Sequence, residues 1–464
     1  MKQINMANLE EIHGMRAKDF PRKINQQLYF FTLDEERICA YSPAGNITTV
    51  LTRDEYDFVR KNSIVDSNID GMEALIGSFL YEAPKINSNY TKSEVLSFKP
   101  DIDTIKIKEL SLIVTTACDL RCRYCFAFGG GEGKHPNKNS KNVSGLKQEL
   151  DPDTALYAIN HFKPASITLF GWGEPTMALS NIKKIVSGID TKKTKIEIVT
   201  NGVYFSRRKE IIKYLVSHNI KIQISFDGLP EFQDMNRPIS NGIGSSNEVL
   251  KTINEIKKYG RLRDLATVRA TICGGMENYI LESVNYLYEL GFDVIGIQPV
   301  EISGRAVNNI KPLNIHLFAQ NIARAIAYGK RHGININSRV LPAGDNWSLA
   351  CYGCGFMAGY MLALGPDNNF YSCDDPLPVF KVGKISKVSS GFVINIDYKK
   401  VTDFANQRYI LNLDNCRECP VKCGGGCAKE SFSSYNKMNV GGESKEFCNA
   451  RQEALAEYIK AAII

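Results

Sequence analysis

The 464-residue sequence lacks any run of the roughly 18 to 20 consecutive apolar residues that a helix needs to cross a bilayer. Its first residues, MKQINMANLEEIHG, also lack the apolar core of a secretory signal peptide. Lysine and arginine form no dense block of the kind that nucleic-acid binding usually requires, and the formal net charge is only +7. These absences predict a cytoplasmic protein that binds neither a membrane nor nucleic acid.

Structural disulfides are not expected either, because the cytoplasm keeps thiols reduced, yet the chain contains 13 cysteines. Cys39 and Cys273 stand alone, and lone cysteines are usually small core residues. The others fall into two groups, one of Cys118, Cys122 and Cys125, and one of Cys351, Cys354, Cys373, Cys416, Cys419, Cys423, Cys427 and Cys448. Thiols separated by two or three residues indicate metal ligation, since each ligand must reach the same small object.

Between residues 106 and 333, apolar β-rich runs alternate with amphipathic helical patterns. The runs cover residues 110–116, 166–170, 195–200, 220–226, 266–272 and 293–300. Near-continuous buried strands separated by helices predict a parallel sheet with helical crossovers. We therefore expect an α/β fold with a partial (β/α)6 TIM-like barrel, whose chemistry lies at the C-terminal ends of the strands.

The length allows about three domains of roughly 100 to 200 residues each. Strand-like runs and turns in residues 24–60 predict a small α+β domain within residues 1–100, which ends in a polar linker at 88–101. The barrel is predicted at 106–333, with a loop-like insertion at 129–145 that is either mobile beside the site or merely solvated. Residues 334–464 are rich in cysteine, glycine and turns, which predicts a domain that metal clusters hold together.

The first group of thiols, in CDLRCRYC, comes directly after the first predicted barrel strand. A cubane cluster held by three cysteines leaves one iron open to a small molecule, whereas a closed zinc site needs four ligands. This Cys-x3-Cys-x2-Cys spacing resembles the signature of the radical S-adenosylmethionine (SAM) enzymes. The resemblance implies a [4Fe–4S] cluster on Cys118, Cys122 and Cys125 whose open iron binds SAM and cleaves it reductively to a 5′-deoxyadenosyl radical.

Later strand ends resemble the same family in the same order. Gly-Trp-Gly-Glu-Pro at 171–175, Thr-Asn-Gly at 200–202 and Ser-Phe-Asp-Gly at 225–228 are each also typical of ordinary turns. Their order on successive strands favours the resemblance, which implies contacts of an aromatic side chain with adenine, of a Gly-Glu pair with the SAM ammonium, and of polar groups with its ribose and carboxylate. The residues implied are Tyr124, Gly173, Glu174, Asn201, Ser225, Asp227 and Arg269.

The second group of thiols resembles the SPASM extension of peptide-modifying radical SAM enzymes. Asn368 stands five residues before Cys373, where that extension has a glycine, and asparagine tolerates a positive φ. The resemblance implies two auxiliary [4Fe–4S] clusters, for a total of three. One would be held by Cys351, Cys354, Cys373 and Cys427, and the other by Cys416, Cys419, Cys423 and Cys448. The spacings alone also allow a pair of zinc ribbons.

The sequence therefore predicts a radical SAM oxidoreductase that acts on a peptide. The main hypothesis is a maturase that installs an intramolecular cross-link, a thioether, carbon–carbon or ether bond, in a ribosomally made precursor peptide. Residues 1–100 would be a winged-helix-like element that binds the leader of that peptide by strand addition. The alternatives are a sulfatase-maturase-like enzyme that forms formylglycine, and a non-catalytic iron–sulfur or zinc-binding protein.

The implied partners are the precursor peptide with its leader and a flavodoxin or ferredoxin reductant. The sequence leaves the peptide, the residues joined, the bond formed, the proton acceptor, the ligand pairing of the auxiliary clusters and the oligomeric state undetermined.

Overall fold

The computed structural model describes residues 29–42, 47–54, 56–57, 105–129, 148–341, 354–409, 412–413, 415–416, 419, 421 and 423–463. The predicted linker at 88–101 and most of the insertion at 129–145 lie outside these residues, as does Cys351. Near the N-terminus, the strands β1 (Tyr29–Thr32), β2 (Arg37–Ser42) and β3 (Ile47–Thr52) form an antiparallel sheet in the order β1-β2-β3. The strand-rich character predicted for this region is present in the described part of it.

A second, eleven-stranded sheet organises the rest of the described chain. Its strands are β4 (Glu109–Ile113), β5 (Ser166–Phe170), β6 (Lys195–Thr200), β7 (Lys221–Ser225), β8 (Ala266–Ile272), β9 (Val294–Pro299), β10 (Asn335–Asn337), β11 (Met361–Leu364), β12 (Asn369–Tyr371), β13 (Lys381–Val388) and β14 (Gly391–Ile396). Their order is β10-β9-β8-β7-β6-β5-β4-β11-β12-β13-β14. Every pair from β10 to β11 in this order is parallel, and the pairs from β11 to β14 are antiparallel. The predicted α/β fold with a mostly parallel sheet is confirmed.

Helices connect the parallel strands and cover the sheet. They are α1 (Pro152–Phe162), α2 (Leu179–Ser187), α3 (Val203–Ser206), α4 (Lys209–Ser217), α5 (Pro230–Asn236), α6 (Ser246–Ile256), α7 (Leu262–Leu265), α8 (Ile280–Glu289), α9 (Ala306–Asn309), α10 (Ile315–His332), α11 (Tyr398–Arg408), α12 (Ala428–Tyr435) and α13 (Lys445–Ile463). Local chemistry sets several ends. The Asp151 carboxylate accepts the Thr154 amide at 2.9 Å at the start of α1, and Gly333 ends α10 with a φ of 70°.

Apolar side chains of β4 to β9 fill the core with those of the covering helices. On β8, for example, Ala266, Val268, Ala270 and Ile272 are buried, and the residues between them are more accessible. This alternation follows from the two-residue period of a strand. Cys39 and Cys273 are buried in the core, as predicted for lone cysteines.

The C-terminal helix α13 packs against α10, one of the helices that cover the sheet. His316 contacts Glu453 at 2.8 Å, the Arg324 Nε donates to Glu457 at 2.6 Å, and the Arg331 guanidinium donates to the Ala461 carbonyl at 2.7 Å. The end of the chain is thereby joined to the barrel. Within the described residues, no helix combines the length and the apolar character required to span a membrane.

The parallel part of the sheet extends beyond the six predicted strands. β10 pairs with β9 and β11 pairs with β4, so both flank the six strands although they follow residue 334, where the predicted C-terminal domain begins. β10 has only three residues and therefore shows too little periodicity to predict. Before β12, Asn368 has a φ of 62°, as the sequence suggested for this position.

Candidate functional site

The C-terminal ends of β4 to β9 meet at one edge of the sheet because the six strands are parallel. The segment 114–129, which we call the thiol loop, follows β4 at this edge and carries Cys118, Cys122 and Cys125. It contains no helix and no strand of the sheet. Its backbone polar groups must therefore be paired by neighbouring segments.

The segments after three other strands supply those partners. After β5, the Gly173 amide donates to the Thr115 carbonyl at 3.1 Å, and the Glu174 amide donates to the Ala117 carbonyl at 2.6 Å. After β9, the Arg305 amide donates to the Cys125 carbonyl at 3.0 Å. These bonds hold both ends of the thiol loop.

The middle of the thiol loop is held by the segment after β7. The Arg121 amide donates to the Pro238 carbonyl and the Arg123 amide to the Asn236 carbonyl, both at 2.8 Å. Loop residues thus reach partners from three separate strand ends, which fixes the position of each thiol.

Three glycines permit this close packing of backbone. A Cβ on Gly173 would lie 2.0 Å from the Ala117 carbonyl oxygen, and one on Gly304 would lie 2.5 Å from the Cys125 carbonyl oxygen. A Cβ on Gly129 would lie 2.7 Å from the Trp172 carbonyl oxygen. Gly129 and Gly304 were not singled out from the sequence, because glycine in a loop has no distinguishing signal without the contacts.

Trp172, which stands where the related motif has glycine, is buried and reaches the C-terminal region. Its indole Nε1 donates to the Asp374 carbonyl at 2.8 Å, and its ring packs edge-on against Tyr371 with 5.8 Å between centroids. Trp172 therefore connects the segment after β5 to the residue that follows Cys373.

The three thiols of the loop interact with one another. Burial, partly offset by the positive charge of Arg237 and assisted by the charge of Cys125, raises the pKa of Cys122 to about 11. Burial also raises the pKa of Cys118 well above its usual value, with a contribution from Cys122. Buried thiolates need a positive partner, and the irons of a cluster supply that charge.

The spread of the thiols bears on which metal they suit. Within the described residues, no three cysteine sulfurs lie within 4.8 Å of one another. A single tetrahedral zinc, with bonds of about 2.3 Å, requires closer sulfurs than this, whereas a cubane is a larger object. The three thiols therefore fit a cluster better than a single zinc ion.

Glu174 lies at the centre of a buried network that joins β5 to β6. Its Oε1 accepts from the Thr200 hydroxyl at 2.7 Å and the Thr176 hydroxyl at 2.6 Å, and its Oε2 accepts from the Asn201 amide at 2.7 Å. Burial, followed by the charge of Asp119, raises the pKa of Glu174 to about 7. The Asn201 side-chain amide donates to Asp119 at 2.7 Å and lies 4.0 Å from the Cys118 sulfur. Glu174 and Asn201 are thus brought directly beside the thiol loop.

Tyr124 of the thiol loop is in contact with Asp227, which follows β7. The Tyr124 hydroxyl lies 2.7 Å and 2.9 Å from the two Asp227 oxygens and accepts from the Arg237 guanidinium at 2.7 Å. Asp227 also accepts the Thr271 amide at 3.1 Å and has no exposed surface. Asp227 thus contacts Tyr124 and lies 4.0 Å from the Arg237 guanidinium, and its contact with SAM stays a prediction.

Ser225 ends β7 and pairs in register with Arg269 on β8. Arg269 is the exposed residue of an otherwise largely buried strand. Protein atoms packed around the exposed guanidinium lower its pKa, and the groups that act on it electrostatically include Arg339, Glu301, Asp374 and Tyr124. Arg269 is therefore an accessible cation among the charged groups of the site, where a carboxylate ligand would be attracted.

The later cysteines interact electrostatically with one another and with a shared arginine. Burial raises the pKa of Cys416 to about 12, with further contributions from Cys423, Cys419 and Cys448. Cys373, in turn, interacts electrostatically with Cys427. Cys416, Cys427 and Cys354 all act electrostatically on Arg408. The division of these cysteines into two ligand sets therefore stays a prediction.

Two features around these cysteines were missed in the sequence. A Cβ on Gly441 would lie 2.1 Å from the Cys416 sulfur, and one on Gly442 would lie 2.0 Å from the Cys448 sulfur, so this glycine pair lies directly against two thiols. The buried Arg408 guanidinium donates to the carbonyls of Met438 at 3.1 Å and Gly426 at 3.1 Å, and also to that of Gly425. The glycine pair between Cys427 and Cys448 could have been noticed in the sequence, whereas no sequence pattern marks an arginine as buried.

Gly173→Ala is expected to prevent normal assembly of the thiol loop, because the added methyl meets the fixed backbone of Ala117. The measurement is the iron and sulfide content of anaerobically purified protein, together with cleavage of SAM. Gly242→Ala is the matched control, since its methyl meets no atom within 4 Å and costs only the ~1–2 kcal/mol of a left-handed backbone. Normal SAM cleavage by Gly173→Ala would show that the close approach is not needed.

Comparison with known proteins agrees with this site. Residues 112–287 match the model of the Radical SAM superfamily. An uncharacterised protein of Methanocaldococcus jannaschii is 32% identical over 190 residues, which are 40% of this chain and 60% of that protein. The radical SAM cyclopropyl synthase TigE of Paramaledivibacter caminithermalis is 24% identical over 220 residues, 44% of each chain. The alignments thus cover about half the length of these two relatives.

A cysteine-type anaerobic sulfatase-maturating enzyme of Clostridium perfringens is 20% identical over 69% of this chain and 89% of its own. Among solved structures, anSMEcpe with bound S-adenosylmethionine superposes with a TM-score of 0.56 at 17% identity, over 76% of this chain and 98% of that one. Streptococcus suis SuiB bound to S-adenosylmethionine superposes with a TM-score of 0.51 at 14% identity, over 92% and 100%. Residues 112–287 of this chain are therefore similar to the radical SAM superfamily. The chain is similar in sequence to the cyclopropyl synthase TigE and to the anaerobic sulfatase-maturating enzyme, and similar in fold to anSMEcpe and SuiB.

Proposed function

We propose that this protein is a radical SAM peptide maturase that installs an intramolecular cross-link, a thioether, carbon–carbon or ether bond, in a ribosomally made precursor peptide. The observation that carries the proposal is the placement of a second thiol-bearing segment beside the thiol loop. Trp172, at the end of β5, donates to the carbonyl of Asp374, which follows Cys373. A site for radical generation and a site for electron acceptance would then share one edge of the sheet.

Cys118, Cys122 and Cys125 would hold the cluster that binds SAM. When bound, that cluster supplies the electron that cleaves SAM to the 5′-deoxyadenosyl radical, which removes a hydrogen atom from the peptide. Gly173 and Glu174 would receive the SAM ammonium, and Arg269 its carboxylate. Asn201 and Ser225 would lie beside the rest of the cofactor, with Tyr124 against its adenine and Asp227 holding Tyr124 in place.

Two auxiliary clusters would account for the remaining grouped thiols. Cys373 and Cys427, with Cys354 and with Cys351 outside the described residues, would hold one cluster, and Cys416, Cys419, Cys423 and Cys448 the other. A substrate radical that closes a new bond must lose one electron and one proton. An auxiliary cluster would accept the electron, and a flavodoxin or ferredoxin would supply the electron for SAM cleavage.

Asp374 is the candidate acceptor for the proton. Its carboxylate is buried, the Ser111 hydroxyl on β4 donates to it, and its Oδ1 has no hydrogen-bond partner within the described part of the chain. Arg269 acts on it electrostatically from β8. A free carboxylate oxygen next to Cys373 and close to the SAM side of the site is placed to accept a proton as the electron leaves.

The N-terminal sheet is the candidate leader-binding element. Among the described residues it has three antiparallel strands, and β1 and β3 each pair on one side with β2. An extended leader can add to such an edge as a further strand through backbone hydrogen bonds. SuiB has a solved structure with the precursor peptide SuiA, which supports a peptide substrate for this chain.

Formylglycine formation on a sulfatase is the second candidate function, and the likeness to the anaerobic sulfatase-maturating enzyme favours it. That likeness leaves 31% of this chain unmatched, because the alignment covers 69% of it. A leader-binding element is not required for that reaction. A non-catalytic metal-binding protein is disfavoured, since such a protein has no use for a SAM site.

Replacement of Cys118, Cys122 and Cys125 by alanine should abolish 5′-deoxyadenosine formation and leave the auxiliary clusters in place. Anaerobic wild-type protein should contain about 11 to 12 irons if three cubanes are present. The triple variant should keep about 8. Zinc without iron and sulfide, or continued SAM cleavage by the triple variant, would contradict the proposal.

Asp374→Asn should reduce peptide cross-linking by at least about tenfold while 5′-deoxyadenosine formation in the presence of peptide continues, because hydrogen abstraction precedes proton loss. The ratio of cross-linked peptide to 5′-deoxyadenosine, measured by mass spectrometry, separates the two steps. Asp367→Asn is the control, since Asp367 binds Tyr371 and Asn369 within its own turn. An unchanged ratio in Asp374→Asn would remove Asp374 as the acceptor.

Deletion of residues 1–100 should weaken binding of the full precursor peptide at least about tenfold and leave SAM cleavage without peptide unchanged. Fluorescence anisotropy with a labelled precursor, and with the same peptide lacking its leader, gives the comparison. The leaderless peptide should bind the intact and shortened proteins equally. Undiminished binding of the full precursor after the deletion would exclude a leader-binding role for this region.

A further inference from the structure

Lys429 is a buried lysine that lies between the thiol loop and the segments carrying Cys373 and Cys427. It sits in the first turn of α12, two residues after Cys427, and only 6% of its surface is exposed. Lysine is almost never this deeply buried unless it is paired. The partners of Lys429 therefore indicate its role.

Its ammonium has carboxylate partners on two separate segments. The Lys429 Nζ lies 2.5 Å from a Glu301 oxygen, just after β9, and 2.8 Å from an Asp375 oxygen, two residues after Cys373. It also lies 3.4 Å from the Ser303 hydroxyl. One side chain thus joins the end of the barrel to both thiol-bearing segments of the C-terminal region.

The same ammonium contacts the thiol loop. It lies 4.7 Å from the ring centroid of Phe126, the residue directly after Cys125. A cation at this distance over an aromatic face is attracted to it, and more strongly when both are shielded from water. Lys429 therefore contacts residues adjacent to Cys125 and near Cys373, and is itself near Cys427.

The charged groups around Lys429 form a connected series of ion pairs. Glu301 also accepts from the Arg339 guanidinium at 3.1 Å, and Arg339 donates to Glu430 at 2.9 Å. Cys427 interacts electrostatically with Glu301, Glu430 and Arg339. Without Lys429, Glu301 and Asp375 would face the thiols of the predicted auxiliary site with less compensation.

We propose that Lys429 is a positioning residue that fixes the thiol loop against the Cys373 and Cys427 segments and raises the reduction potential of the auxiliary cluster they would hold. The inference rests on the proposed function, because it requires a cluster at those cysteines. A reduced cluster carries one more negative charge than an oxidised one. A fixed ammonium nearby stabilises the reduced form and so favours its acceptance of an electron.

The test is a redox titration followed by electron paramagnetic resonance, in full-length protein with Cys118, Cys122 and Cys125 replaced by alanine so that only auxiliary clusters contribute. Lys429→Met should make reduction harder by about tenfold in the ratio of reduced to oxidised cluster, equal to ~59 mV for one electron. Lys429→Arg should stay near the parent value, because it keeps the charge. Glu301→Gln should shift the potential upward, because it removes a negative charge.

Lys183→Met is the matched control, since Lys183 also lies over an aromatic ring, 5.2 Å from the centroid of Tyr214, but on the exposed side of α2. It should leave the potential unchanged. Equal potentials for Lys429→Met and the parent, or the same shift in Lys429→Met and Lys429→Arg, would overturn the inference. If Lys429→Met does not retain clusters, Glu301→Gln decides, and the absence of an upward shift overturns it. Absence of iron from the parent protein would instead refute the proposed function.

Discussion

The structure depends on how the thiol loop, which has no regular secondary structure, is held while it carries three partly buried thiols. Such a loop pairs few of its backbone groups within itself, and buried unpaired groups are costly. Here the partners come from the segments after β5, β7 and β9, through bonds that reach Thr115, Ala117, Arg121, Arg123 and Cys125. A parallel sheet is well suited to this task, because it delivers several strand ends to one edge.

The same requirement explains where the glycines are and how the C-terminal region docks. Gly173 and Gly304 let other segments approach the thiol loop at backbone distance. β11 then pairs with β4, the strand that leads into the loop, and β12 returns antiparallel to β11. The segment after β12 contacts the strand ends through Asp374, which accepts from Trp172, and Asp375, which shares Lys429 with Glu301. The Trp172 indole donates a hydrogen bond to the Asp374 carbonyl. The second thiol-bearing region is thus placed by extension of the sheet that positions the first.

Much of the barrel was predictable because buried strands leave a strong signal. The predicted bounds of β5, β6 and β8 agree with the structure residue for residue. The extension of the sheet by β10 and β11 was missed, since both are short. The backbone donors and acceptors around the thiol loop were also missed, because a backbone hydrogen bond does not depend on residue type. In the site, Glu174 and Asn201 were each predicted to contact SAM, which stays a prediction, and the structure places them in contact with each other. The buried charges Arg408 and Lys429 were not anticipated, since lysine and arginine are usually at the surface.

Lys429, Arg339 and Arg451 lie where the parallel sheet meets the C-terminal region. Arg451 is paired with Glu443, which also accepts from the Cys427 amide at 3.0 Å, and Arg451 donates to the Arg339 carbonyl at 2.9 Å. Arg339 and Lys429 then share Glu301 at the end of β9. Ion pairs in such a place add little net stability, because removing each charge from water costs about as much as the pairing returns. Apolar side chains would hold the two regions together at least as strongly. Ion pairs instead fix the orientation of the two regions, since each pair forms at only one position of one region relative to the other. That position sets the distance between the thiol loop and the later cysteines.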